Sequence, residues 1–196
     1  MKGLSIELGT YNAMFWRTLI ALLFSGALFL WKGSAWPTRK VIKLHLWRGF
    51  ITAIMAYLFF WGLIYVPLAE AIALSFIAPL IAMYLARVLL HEPIGPTAIL
   101  ASVIGFSGAM VIVGGKVGGD YEEAVWMGIA AILISAVLYA YNLILQRQQA
   151  IVAKPFEIAF FQNGTVVALY ALFVPFLAVV PPQSVYLNLF VAALFG

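Results

Sequence analysis

Long apolar runs separated by short polar stretches divide the chain. They lie at about Tyr11 to Trp31, Trp47 to Tyr65, Pro67 to Leu90, Gly95 to Val113, Ala124 to Gln146 and Phe156 to Val180. A membrane-spanning helix needs roughly 20 predominantly apolar residues, and these runs meet that length. A seventh run starts near Ser184 and reaches only Gly196, too short to span. The runs are continuously apolar, unlike the strictly alternating segments of about 10 residues that build a barrel. The pattern predicts an all-α, polytopic transmembrane helix bundle with six full helices and a partial seventh.

Composition agrees. Of 196 residues, 65% are hydrophobic and 9% charged, against about 25% charged in soluble domains. Mean hydropathy is +1.07, so a globule in water would lack a polar coat. This excludes a soluble enzyme and a disordered tail. The net charge of +4 does not imply a nucleic-acid partner, because the basic residues sit between apolar runs instead of forming one patch. The lipid bilayer is the expected surrounding. The chain has no cysteine, so it has no disulfide, thiolate metal site or cysteine nucleophile; no metal or other cofactor is expected. Lys2 is followed by Ser5, Glu7 and Thr10, which is not the pattern of a signal peptide.

Loop charges orient the spans. Between the first two runs stand Lys32, Arg39, Lys40, Lys43 and Arg48, with no acid. Val66 and Pro67 form a tight turn between the second and third. Arg87, His91 and Glu92 follow the third, whereas Lys116 after the fourth faces Asp120, Glu122 and Glu123. Arg147 and Lys154 follow the fifth, with Glu157 at the mouth of the sixth; neutral Pro181, Pro182 and Gln183 come last. Basic and non-basic loops alternate, which puts the basic loops in the cytoplasm and the N-terminus outside. Cysteines at Ser34 and Gly119 should then label from opposite sides, Gly119 from outside.

A weak internal repeat is visible. Glu157-Ile158-Ala159-Phe160-Phe161-Gln162-Asn163 matches Tyr11-Asn12-Ala13-Met14-Phe15-Trp16-Arg17 in its Ala, aromatic and polar offsets. The two helices run in opposite senses, as an inverted repeat with an odd helix count requires.

Several segments carry a family resemblance. They are Asn12-Ala13-Met14-Phe15-Trp16-Arg17, Arg48-Gly49-Phe50, the long run from Tyr65 to Leu80, Leu89-Leu90-His91-Glu92-Pro93-Ile94-Gly95 and Gly105-Phe106-Ser107-Gly108. From about Tyr11 to Gly115 the chain resembles the EamA-type domain of the drug/metabolite transporter superfamily. The resemblance implies two inverted copies of five helices with both ends cytoplasmic. On that pattern residues 1–123 are a first repeat lacking its first helix, and 124–196 begin the second, so the chain is expected to be truncated at both ends. It implies movement of a small organic solute across the cell membrane by alternating access, without ATP hydrolysis. Family substrates include amino acids, vitamins, nucleotide-linked metabolites and drugs. A non-transporting membrane fragment or assembly subunit is the alternative.

Polar groups inside spans are costly and point to function. Arg17 and Glu70 enter from the outer side and match the family pattern, as a candidate charge pair at the mouth of a cavity. Alternatively, Arg17 snorkels to the interface, and Glu70 complements a helix dipole behind Pro67 at the first helical position. Pro79 must kink its helix by depriving the Ser75 carbonyl of a donor, at a binding site or at a packing kink that Ser75's own hydroxyl satisfies. Ser135, Tyr139, Asn142 and Gln146 form one polar stripe expected to face the bundle, with Gln162 and Asn163 at similar depth. They bind a polar solute or bond helix to helix. Tyr57, Trp61 and Tyr65 line a cavity or belong to an interfacial aromatic belt. Ala71, Ser75, Ala78, Ala82 and Ala86, and then Ala98, Ala101, Gly105, Gly108 and Ala109, read as close-packing seams.

No enzymatic site emerges. Gly105-Phe106-Ser107-Gly108 has the spacing of an intramembrane serine nucleophile, but a base must lie within hydrogen-bond reach, and His45 and His91 flank other helices at the cytoplasmic edge. Gly118-Gly119-Asp120 is an acidic loop, not a phosphate loop. On the family pattern the second repeat stops early, leaving Ser135, Asn142 and Gln162 poorly shielded from lipid. The lone chain is then expected to be unstable and not to transport, with a second copy as a candidate partner.

Overall fold

The computed structural model describes residues 2–32, 36–114 and 123–195, leaving aside the side chains of 109, 110, 112–114 and 195. Ser34, Lys116, Gly118, Gly119, Asp120 and Glu122 lie outside the described residues, as does the side chain of Ala109. The helices are α1 (Lys2–Leu8), α2 (Thr10–Trp31), α3 (Arg39–Tyr65), α4 (Leu68–Ser75), α5 (Ile77–Leu90), α6 (Pro96–Gly114), α7 (Glu123–Val152), α8 (Pro155–Ala171), α9 (Val174–Leu177) and, after a 3-10 turn at Gln183–Val185, α10 (Tyr186–Phe195). No strand occurs among the described residues. The protein is an all-α polytopic helical bundle. α2, α3, the α4–α5 pair and α7 are each long and apolar enough to cross a membrane. α6 and α8, of 19 and 17 residues, stand near the lower limit of about 17.

Two compact units can be described separately, one comprising residues 1–57 and 145–196 and the other 58–144. In the first, α2 packs against α1, α8 and α10. Leu4, Ala13, Val185 and Leu189 form a core there, with Trp16 and Ile20 against it. In the second, Leu63, Val66, Ala71 and Ile132 form one core cluster and Ala78, Ala136 and Ala140 another.

The breaks between helices have local causes. Gly9, at φ +76, separates α1 from α2 in a conformation that costs glycine little. The long third run is interrupted at Phe76, directly after Ser75, whose carbonyl Pro79 cannot serve. α5 restarts at Ile77, which puts Pro79 in its first turn, where a missing amide loses no helical bond. Ser75's hydroxyl donates to the Ala71 carbonyl at 2.8 Å, not to its own. Pro67 is the residue before the first helical position of α4 rather than that position itself.

The sixth run is shorter than its hydropathy suggests. α8 ends at Ala171, α9 is a single turn, and residues 178–182 are not helical. Pro175 cannot donate to the carbonyl four residues back. The non-helical backbone is met by α2: Val179 N–H donates to Asn12 Oδ1 at 2.8 Å, and Trp16 Nε1–H donates to the Val179 carbonyl at 2.9 Å. Irregular backbone within a membrane needs such internal partners.

Only one of the two predicted seams is tightly packed. Ala71, Ala78 and Ala86 are buried, but Gly105 and Gly108 on α6 have open space where a side chain would stand, and Ala98 and Ala101 are exposed. α6 is a small-residue helix whose seam, at Ala98, Ala101, Gly105 and Gly108, meets nothing close among the described residues. Close approaches occur instead at Gly49, Gly62 and Gly128.

Candidate functional site

In the first unit α2, α3, the end of α7, α8 and α10 surround an open cavity of about 540 Å³. Its polar lining is Arg17, Arg48, Gln146, Gln162 and Asn163; alanines such as Ala21, Ala150 and Ala159 supply the room. The volume falls in the range of small-molecule sites, about 300–1,000 Å³. Asn163 Nδ2 donates to Ser25 Oγ at 3.3 Å, and Ser25 in turn donates to the Ala21 carbonyl at 2.8 Å. This pair fixes the amide from α2. The Arg17 Nε is buried and has no hydrogen-bond partner among the described residues.

Behind the cavity lies a buried polar relay. Arg48 Nη1 donates to Gln149 Oε1. Gln149 Nε2 donates to His45 Nδ1 at 2.7 Å, and His45 Nε2 lies 3.1 Å from Glu157 Oε1. The roles follow in sequence. A guanidinium only donates, so Gln149 must turn its oxygen to Arg48 and its amide nitrogen to His45. The imidazole then accepts at Nδ1, carries its hydrogen on Nε2 and donates to the carboxylate. His45 and Gln149 are both 0% exposed, and the His45 ring stacks on Phe161 at 5.1 Å. Burial without satisfaction would be expensive; the relay supplies the partners. One end of it, Arg48, lines the cavity.

Sequence reasoning placed His45 at a helix edge and gave it no role. α3 begins at Arg39, so His45 is a helical residue that shares a face with Arg48 three positions later. That spacing is the signal that pointed to it. Arg48 carried the family motif, but the sequence did not mark it as cavity lining.

Of the sequence-derived candidates, the structure brings Arg17, Gln162, Asn163 and Gln146 together at the cavity. Trp61, Glu70, Ser75, Pro79, Tyr139 and Asn142 belong to the other unit, as does Ser135. Glu70 is buried at the third position of α4, where the helix dipole favours an acid. Trp61 packs on Tyr65 with ring centroids 4.9 Å apart; Pro79 is exposed. The polar stripe on α7 is not uniformly covered. Ser135 and Asn142 are only 5% and 3% exposed, whereas Tyr139 is 43% exposed. Short side chains lie within the packing, and the long Tyr139 ring reaches past it. Ser135 and Asn142 are therefore shielded within the single chain, contrary to expectation. Their burial removes that reason for the lone chain to be unstable or inactive, although Gln162 is only half-buried.

Comparison with known proteins places the chain. Over 99 residues it is 29% identical to a riboflavin transporter of Brucella anthropi, the match covering 50% of this chain and 35% of that protein. Over 144 residues it is 30% identical to a riboflavin transporter of Rhizobium johnstonii, covering 74% of this chain and 46% of that protein. The chain thus matches less than half the length of either relative. A solved crystal structure superimposes with a TM-score of 0.71 over 96% of this chain and 69% of the other, at 21% identity; that likeness shows the fold. The EamA-like transporter family model matches residues 1–114, more than half of the chain, and the protein is a multi-pass membrane protein that belongs to the EamA-like transporter family.

Proposed function

We propose that the protein takes part in moving a small organic solute across the cell membrane by alternating access, without ATP hydrolysis. The observation that carries this reading is the open polar cavity of the first unit, lined by helices of a chain that belongs to a transporter family. Arg17, Gln162 and Asn163 hold the solute, with Arg48 and Gln146 beside them. Trp61, Glu70, Ser75, Pro79, Tyr139 and Asn142 are assigned a supporting part in the second unit. Residues 1–123 correspond to a first repeat without its first helix and 124–196 to the beginning of an inverted second, and a second copy is the candidate protein partner.

The relatives' names make riboflavin the first solute to test. The purified chain in an uncharged detergent should quench flavin fluorescence saturably. Gln162→Ala with Asn163→Ala should weaken that binding about tenfold, the scale of losing a buried hydrogen bond or two. In vesicles the same chain should exchange labelled for unlabelled riboflavin without ATP. Binding that ignores both substitutions overturns the site. Binding without exchange overturns transport in favour of a non-transporting subunit.

Orientation is the second part of the proposal, and it rests on loop charges alone. Single cysteines at Ser34 and Gly119 are expected to react with a membrane-impermeant maleimide from opposite faces of intact cells, Gly119 from outside. Labelling of both from one face would overturn the orientation.

A further inference from the structure

We propose that the cavity of the first unit selects an organic anion, binding its carboxylate or phosphate head on Arg17 and Arg48. This rests on the reading of that cavity as the solute site, and adds the charge of the solute; riboflavin, which has neither a carboxylate nor a phosphate, should bind there more weakly than its phosphate ester. Among the described residues the lining holds two guanidinium groups, three primary amides and no carboxylate. Glu157 adjoins the lining residue Ile158 in sequence, yet its buried carboxylate is turned to His45, and Gln149 and His45 separate it from Arg48 along the relay.

Two cations lining one apolar-walled recess focus a positive potential into it. In a membrane such charges are retained where they meet a counter-charge or a water-filled cavity. Guanidinium presents its donors as a fork that matches the two oxygens of a carboxylate or phosphate. An oxyanion in the cavity meets Arg17 at its Nη groups, because Nε is buried behind them. The amides of Gln146, Gln162 and Asn163 then serve the uncharged polar groups of the solute body. Arg48 is held for this from behind, because Gln149 anchors its Nη1 and is itself fixed by His45.

The absence of cysteine allows a test that does not depend on knowing the solute. Ala159, a half-buried lining residue, is replaced by Cys in the otherwise intact chain in uncharged detergent. Its reaction rates with the sulfonatoethyl and trimethylammonioethyl methanethiosulfonates are each divided by the rate with 2-mercaptoethanol. The anionic reagent should be favoured about tenfold, as a potential of about 1 kT gives between reagents of opposite unit charge. Arg17→Gln should reduce the preference to about threefold, and Arg17→Lys should restore most of it. Should Arg17→Gln misfold, raising ionic strength on the unchanged charge set provides the same reading, because the preference must shrink as salt screens it.

Inorganic phosphate, with ionic strength held by sodium chloride, should slow labelling at least threefold. Phosphatidylglycerol added to the micelles is the parallel arm, and protection by it but not by phosphate overturns a soluble anion in favour of a lipid headgroup. Equal rates, or a preference for the cationic reagent, overturn anion selection and leave the cavity as a solute site. No labelling by either reagent overturns the accessible cavity, and the solute-site reading falls with it.

Discussion

Replacing His45 by Leu should destabilise the protein by about 2–3 kcal/mol, the cost of leaving a buried carboxylate and a buried amide without their hydrogen-bond partners. The change leaves the Glu157 carboxylate without its imidazole donor and the Gln149 amide without its acceptor, both in buried surroundings. Lost stacking on Phe161 adds to this. Glu157→Gln should be much milder, because a neutral amide oxygen still accepts from His45 Nε2. The double change His45→Leu with Glu157→Leu should recover part of the loss, because replacing both members of a buried polar pair by apolar groups is often close to neutral. Unfolding followed by circular dichroism in mixed detergent micelles measures all three. A His45→Leu chain within about 0.5 kcal/mol of the parent, the range of an inconsequential surface change, would show that the relay contributes nothing to stability.

The relay also shows where hydropathy stops being informative. The spans were legible because lipid imposes a length and an apolarity on any helix that crosses it. The same criterion hid the start of α3. Its first turns carry Arg39, Lys40, Lys43 and Arg48, and a charged stretch reads as loop even where it is helical. His45 was lost with it. The opposite error occurred at α8, where Leu172 to Val180 is apolar throughout and reads as more helix. The missing amide of Pro175 does not register in hydropathy, and neither does the rescue of Val179 by Asn12 and Trp16. Asn12 was visible as part of a motif, but its task of bonding a stretch of backbone far along the chain belongs to tertiary structure. At the cavity, Arg17, Gln162 and Asn163 were legible as costly polar groups inside spans. Arg48 and Gln146 had been absorbed into a basic loop and a helix stripe. Which polar residues converge depends on how helices pair, and periodicity fixes only which face of one helix they share.

Gly62→Ala should destabilise the second unit by about 1–3 kcal/mol, the range for overpacking a tight contact. A Cβ at Gly62 would stand 2.8 Å from the Gly128 carbonyl oxygen and 2.7 Å from Ile132 Cγ1. The side chain can shift, but the backbone oxygen can move only if α3 and α7 separate. Gly128 faces the same approach from the other helix, its added Cβ falling 2.9 Å from Tyr65 Cβ. A Val at Gly62 adds two more methyl groups to a space that will not accept one, so it should cost more than Ala. Gly105→Ala and Gly108→Ala should behave oppositely. Nothing lies within 4 Å of either added Cβ, and exchanging glycine for alanine inside a helix gains about 0.5–1 kcal/mol from backbone entropy and propensity. The sequence grouped Gly105 and Gly108 with the packing seams and gave Gly62 no role, so the comparison separates sequence pattern from actual contact. Measured side by side in one detergent, a loss at Gly62 beside a gain at Gly105 and Gly108 supports the packing described for α3 and α7. Tolerance of Ala at Gly62 would show that the two helices do not approach this closely. A loss at Gly105 or Gly108 would show that the small-residue face of α6 is covered in the membrane by something other than this chain's own helices.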